Sequence, residues 1–176
     1  MKISVHALSV DLLASTLANL SHVLDKGLAS ATARKIEPTV LLNARLAPDM
    51  LPLTRQVQIA CDMSKFGVAR LAGLDAPKFE DNEQSFEELR ARIARTIDFI
   101  KGVPASALEG TEDRDIKVSL RDRTLQFRGL EYLTRWVIPN AFFHATTTYA
   151  ILRHNGVDLG KTDFLTGSGP AFSQSA

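Results

Sequence analysis

Apolar residues recur along this chain at helical spacing in four stretches and at alternating spacing in one. From Ser9 to Leu28, the residues Leu13, Leu17, Leu20 and Leu24 share one face, and Gly27 near the end reads as a stop signal. Residues 29–48 mix small polar residues with Pro38 and Pro48, and Val40 to Arg45 is apolar enough for a short helix across the end of a bundle. The spacing of Leu53, Val57, Ala60, Ser64, Val68 and Leu71 predicts a second long helix that stops at Gly73. Asp49 stands where a cap would sit, and Pro52 falls in the first turn, where a missing N–H does little harm. An acidic connection containing Pro77 follows. Ser85 then caps a third run in which Phe86, Leu89, Ile93, Ile97 and Ile100 keep helical period until Gly102.

The period changes after Asp115. Ile116, Val118 and Leu120 alternate with polar neighbours, Thr124, Gln126 and Arg128 do so on the other arm, and Arg121-Asp-Arg123 supplies the turn of a small β-hairpin. A fourth helix runs from about Leu130 to the Asn155-Gly156 cap with Pro139 inside it, and this proline predicts a kink. One face of that helix carries Leu133, Val137, Asn140, His144, Thr148 and Ile151. Asn140 and His144 therefore stand one turn apart on an otherwise apolar stripe, where an unpaired amide or imidazole costs about 1–3 kcal/mol. The expectation is that they face the interior and bond to each other, to a glutamine of the second helix, or to a ligand.

The predicted class is all-α, a helical bundle with a small hairpin between the third and fourth helices. A chain of 176 residues suits one domain, placed at residues 1–165 with a tail at 166–176. With 21 Lys+Arg against 20 Asp+Glu the net charge is +1, so no one-signed field favours nucleic acid or an anionic membrane. The basic residues around the hairpin, Arg114, Lys117, Arg121, Arg123 and Arg128, alternate with Asp113, Asp115 and Asp122, a solvated surface rather than a phosphate track. The start of the chain lacks the apolar core of a signal peptide, because His6 and Asp11 interrupt it. A lone cysteine, Cys61, fits packing in a reduced, cytoplasmic setting.

Together, several segments resemble a known family: Ala44-Arg-Leu-Ala-Pro-Asp-Met50, Leu53-Thr-Arg-Gln-Val-Gln-Ile59, Arg70-Leu-Ala-Gly73, Phe142 to Gly156, and Leu159-Gly-Lys-Thr-Asp-Phe164. The chain resembles the DinB/YfiT-like bundle proteins, and within them the domain-of-unknown-function family numbered nineteen ninety-three. That resemblance implies a DinB-like four-helix bundle. In better-known members it implies a divalent metal held by three histidines, one on the second helix and two spaced His-x-x-x-His on the fourth, with thiol-dependent transferase or isomerase activity in some. Here His144 matches the second histidine of the pair, Asn140 stands in place of the first, and no histidine lies between Asp49 and Gly73. Gln56 or Gln58 is the nearest polar residue on the second helix.

The candidate pocket is thus Gln56, Asn140, His144 and Thr148, and the candidate metal ligands are His144 and Asn140. Amide oxygens are weak donors for a borderline ion, so the expected cofactor is none or a weakly bound divalent metal. Other residues carry ordinary readings. His22 is a half-buried helix histidine, His6 and His154 sit near element ends, Arg153 forms a surface ion pair, and Asp62 is solvated or else orients His22. Two classes of function stay open: a non-catalytic binding or structural homodimer, and a metal-dependent hydrolase or thiol-dependent transferase or isomerase acting on a small molecule.

Overall fold

A computed structural model describes residues 3–169; Met1, Lys2 and residues 170–176, which hold most of the expected tail, lie outside it. In chain order the elements are α1 (Leu12–Ala33), α2 (Pro38–Leu42), α3 (Leu53–Ala72), α4 (Phe86–Lys101), β1 (Asp115–Ser119), β2 (Thr124–Arg128), α5 (Gly129–Tyr132), α6 (Ile138–His154) and α7 (Lys161–Thr166). Among the described residues the chain is mostly helical with one two-stranded antiparallel ladder, in which Asp115 pairs Arg128 and Ser119 pairs Thr124. Each long helix owes its place to a buried stripe. On α3, Leu53, Val57, Ala60, Ser64, Val68 and Leu71 are all buried, and Gly73 ends the helix in the left-handed conformation that glycine adopts without strain.

Three local readings of the sequence need correction. Gly27 does not stop α1, which continues to Ala33; a Cβ there would lie 3.1 Å from Leu152 and 3.2 Å from Phe86, so glycine marks a close helix contact. Asp49 does not cap α3, whose N-cap is Pro52 with no side-chain bond. Ahead of Pro139 the helix does not simply continue from Leu130. Residues Leu133–Val137 form a π turn in which the Ile138 N–H donates to the Leu133 carbonyl, five residues back. The wider turn absorbs the register change that a residue without an N–H imposes. A second π turn, Ala7–Asp11, leads into α1. The stretch Ala7–Ala33 is long and apolar enough to cross a membrane by composition, and in the fold its leucines at 13, 17, 20 and 24 fill the core.

Contacts along the helices fix their directions. Gly27 meets Leu152 and Arg34 meets Asn155, so α1 and α6 run the same way. Gln56 meets His144 while Gly67 meets Val137, so α3 opposes α6; Gly27 meets Phe86 while Asp25 pairs with Arg90, so α4 opposes α1. It follows that α3 and α4 are parallel, and residues 74–85 must return the chain along the bundle. The 20 residues of α3 rise about 30 Å, and a dozen extended residues reach roughly 40 Å. Residues 74–85 thus form a strap along the bundle. Neighbours in the bundle are α1 with α4 and α6, and α3 with α4 and α6.

The last element, α7, has no forerunner in the sequence reading; six residues are too few for a period. It docks on α1 through Asp163, whose carboxylate accepts from Lys26 at 2.9 Å and faces His22 at 3.0 Å, while Asn19 donates to the Phe164 and Leu165 carbonyls.

Candidate functional site

The first turn of α3 and the middle of α6 bring Gln56 and His144 together. Gln56 is buried, and its Nε2 donates to the Leu51 carbonyl at 3.0 Å. That bond turns the amide oxygen toward His144, and Oε1 lies 2.7 Å from Nδ1. An amide oxygen only accepts, so Nδ1 carries the imidazole proton and Nε2 is bare. Half-burial lowers the His144 pKa from its usual 6.5, and the ring is neutral at pH 7. Among the described residues Nε2 bonds nothing, yet it is not sealed from water. Phe143, which is exposed, meets the ring edge-on at 5.2 Å between centroids.

The two other stripe residues do different things. Asn140 is half-buried and does not bond His144; its Nδ2 donates to the Trp136 carbonyl of its own helix at 2.6 Å, which leaves Oδ1 uncommitted. Thr148 is fully buried and donates to the His144 carbonyl at 3.0 Å, so it belongs to the core beneath the site. As a metal centre the set fits poorly. It offers one imidazole and two neutral amides, and a site without a second imidazole, thiolate or carboxylate is a weak host for zinc and similar ions. Among the described residues no group of three His, Cys, Asp or Glu side chains is arranged to hold a metal ion. These residues do not match the three-histidine centre that the resemblance implies.

A second polar centre escaped the sequence reading. Arg92 of α4 is 0% exposed. Its guanidinium donates to Glu83 Oε1 at 3.0 Å, to the Glu80 carbonyl at 3.0 Å, to Asp81 Oδ1 at 2.9 Å and to Asp62 Oδ1 at 3.1 Å. Lys65, equally buried, pairs with Asp62 at 3.0 Å and lies 4.1 Å from the centre of the Phe79 ring. Gln58 donates to Glu83 Oε2 at 2.7 Å and accepts from Arg55 at 2.5 Å, and Arg55 also holds Asp81 Oδ2 at 2.5 Å. Three cations and three carboxylates therefore pin the strap to α3 and α4. Asp62 is only partly exposed, pairs with Arg92 and Lys65, and does not orient His22, which pairs with Asp163 instead. Cys61, fully buried beside this network, has its thiol pushed up to about 12 by burial and is inert packing. The signal for the cluster was present only as an acidic strap facing Lys and Arg at helical positions, a pattern that ordinarily describes surface.

A family model described as Domain of unknown function (DUF1993) matches residues 5–165. A crystal structure described as a DinB family member protein from Shewanella denitrificans is similar over 97% of this chain and 95% of that one, with 40% identity and a TM-score of 0.87. No curated protein matches the chain.

Proposed function

The chain belongs to the domain-of-unknown-function family DUF1993, and from that premise we propose that it is a metal-free, non-catalytic binding protein that works as a homodimer. The observation that carries this reading is the 2.7 Å bond between His144 Nδ1 and Gln56 Oε1. It occupies the second-helix position with an amide and locks the imidazole into one tautomer. His144 Nε2 and Asn140 Oδ1, one helical turn apart, are then two acceptors for the N–H or O–H groups of a small ligand. Phe143 and Leu51, both exposed, give that ligand an apolar edge. Exposed Val40 and Leu46 lie at the same end of the bundle, where α3 begins, and this apolar surface supports a two-fold dimer, the commonest closed assembly. The compartment fitting a lone buried thiol is the cytoplasm.

The bare Nε2 also favours one second reading, a small-molecule hydrolase or thiol-dependent transferase with His144 as general base. Nitrogen-resolved NMR of His144 tests the first. A neutral Nδ1–H tautomer at pH 7, together with twice the chain mass in light scattering, is the expected result. An Nε2–H tautomer, or a monomer at micromolar concentration, overturns it.

A further inference from the structure

Between α2, the start of α3 and the strap lies a cavity of about 410 Å³, on the opposite side of α3 from His144. Its volume is in the range of small-molecule sites. Two poles of opposite character adjoin on its wall, with Arg55 Nη1 lying 2.5 Å from Asp81 Oδ2. One is Arg55, whose Nη1 is committed to Gln58 and Asp81 while Nε and Nη2 have no partner among the described residues. Beside it, the first turn of α3 has no side-chain cap, and the Thr54 and Arg55 N–H groups bond nothing among the described residues. The other pole is Asp81 with Glu83. Each of their four oxygens accepts a bond from Arg55, Arg92 or Gln58, and a carboxylate oxygen has room for a second donor. Glu83 is fixed in place, with only 4% of its side chain exposed.

The charged lining is Arg55 against Asp81 and Glu83, and Arg92, buried behind the two carboxylates and paired with both, balances the second negative charge. A field of that kind selects neither a simple anion nor a simple cation. It selects a molecule that carries both signs at a short separation. We infer that this cavity binds a small zwitterion of the free amino-acid class, with its carboxylate on Arg55 and the start of α3 and its ammonium on Asp81 and Glu83. Leu42 and Pro52 provide the apolar part of the wall for a short side chain. This cavity is separate from the Gln56–His144 pair.

Thermal shift and calorimetry with the twenty free L-amino acids at millimolar concentration test it, followed by the amine and carboxylic-acid analogues of the tightest binder. At a hundredfold excess over Kd, the binder raises Tm by roughly 5–10 °C. Each analogue, lacking one charge, binds at least about tenfold more weakly. Arg55→Gln weakens binding by a similar factor while the unliganded Tm stays within a few degrees, because the Arg55 side chain is 40% exposed. Asn43→Leu, which leaves the ion pairs intact and narrows the cavity, weakens binding as well. The inference is overturned if no amino acid shifts Tm, if an amine or acid analogue binds as tightly as the zwitterion, if only polyols bind, or if both variants bind like the wild type.

Discussion

Arg92→Ala is the substitution with the largest expected effect on this fold. The wild-type guanidinium is sealed from water and donates to Glu83, Asp81, Asp62 and the Glu80 carbonyl at 2.9–3.1 Å. Truncation leaves the Glu83 carboxylate almost fully buried with Gln58 as its remaining partner. Breaking a buried ion pair by removing one member costs about 3–5 kcal/mol, which for a domain of this size lowers Tm by roughly 10–15 °C. The perturbation also releases the strap, so limited proteolysis should cut within residues 74–85 of the variant and spare them in the wild type. Burial pushes the Asp81 and Glu83 carboxyls up, but Arg55 and Arg92 at Asp81, and Gln58 and Arg92 at Glu83, outweigh it and hold both below their usual range. With the folded pKa below the unfolded one, this stabilisation is present above the unfolded value. It fades as the pH falls below about 4, so the gap between wild type and variant should narrow in acid. In a double-mutant cycle, Arg92→Ala with Glu83→Leu should be less destabilised than the two single losses added together. Urea unfolding that shows less than about 1 kcal/mol of loss for Arg92→Ala, with the strap still resistant to protease, refutes the reasoning.

Two further substitutions probe other contacts. Gly67→Ala places a Cβ 2.4 Å from Val137 Cγ1, so it should destabilise the fold by about 1–3 kcal/mol, and Val137→Ala in the same chain should recover most of that in thermal unfolding. At Asp163, burial raises the carboxyl pKa, but the Gly160 N–H, Lys26 and His22 lower it to about 2; its hold on α7 is complete above the unfolded value near 4 and is lost as the pH falls toward 2. Asp163→Asn should speed amide hydrogen exchange across Lys161–Thr166 at neutral pH while leaving α3 and α4 unchanged.

The long amphipathic helices were legible because burial on one face imposes a period, as the α3 stripe from Leu53 to Leu71 shows. The hairpin showed itself by the change to alternation at Ile116. Gly27 misled because a glycine that admits a neighbouring helix looks, in one dimension, like a glycine that ends its own. The strap carries no period, and nothing in Phe79, Asp81 and Glu83 signals that buried cations wait for them on two helices. Of the candidate site, the i, i+4 spacing placed Asn140 and His144 on one face, while the choice between Gln56 and Gln58 needed coordinates: the first turns to α6 and the second to the strap. That Asn140 bonds its own helix was not readable, since a side-chain amide reaches an i−4 carbonyl as easily as a neighbour.

The proposed metal-free state of the Gln56–Asn140–His144 site can be checked by a zinc titration of the untagged wild-type protein, followed by thermal unfolding. Beside it run His144→Ala and the double variant Gln56→His/Asn140→His, which rebuilds three imidazoles around a contact that already measures 2.7 Å. The wild type should show no Tm shift at micromolar Zn²⁺, and the double variant should gain several degrees of stabilisation. A wild-type protein that micromolar Zn²⁺ strongly stabilises, and that loses this stabilisation on His144→Ala, contradicts the metal-free state.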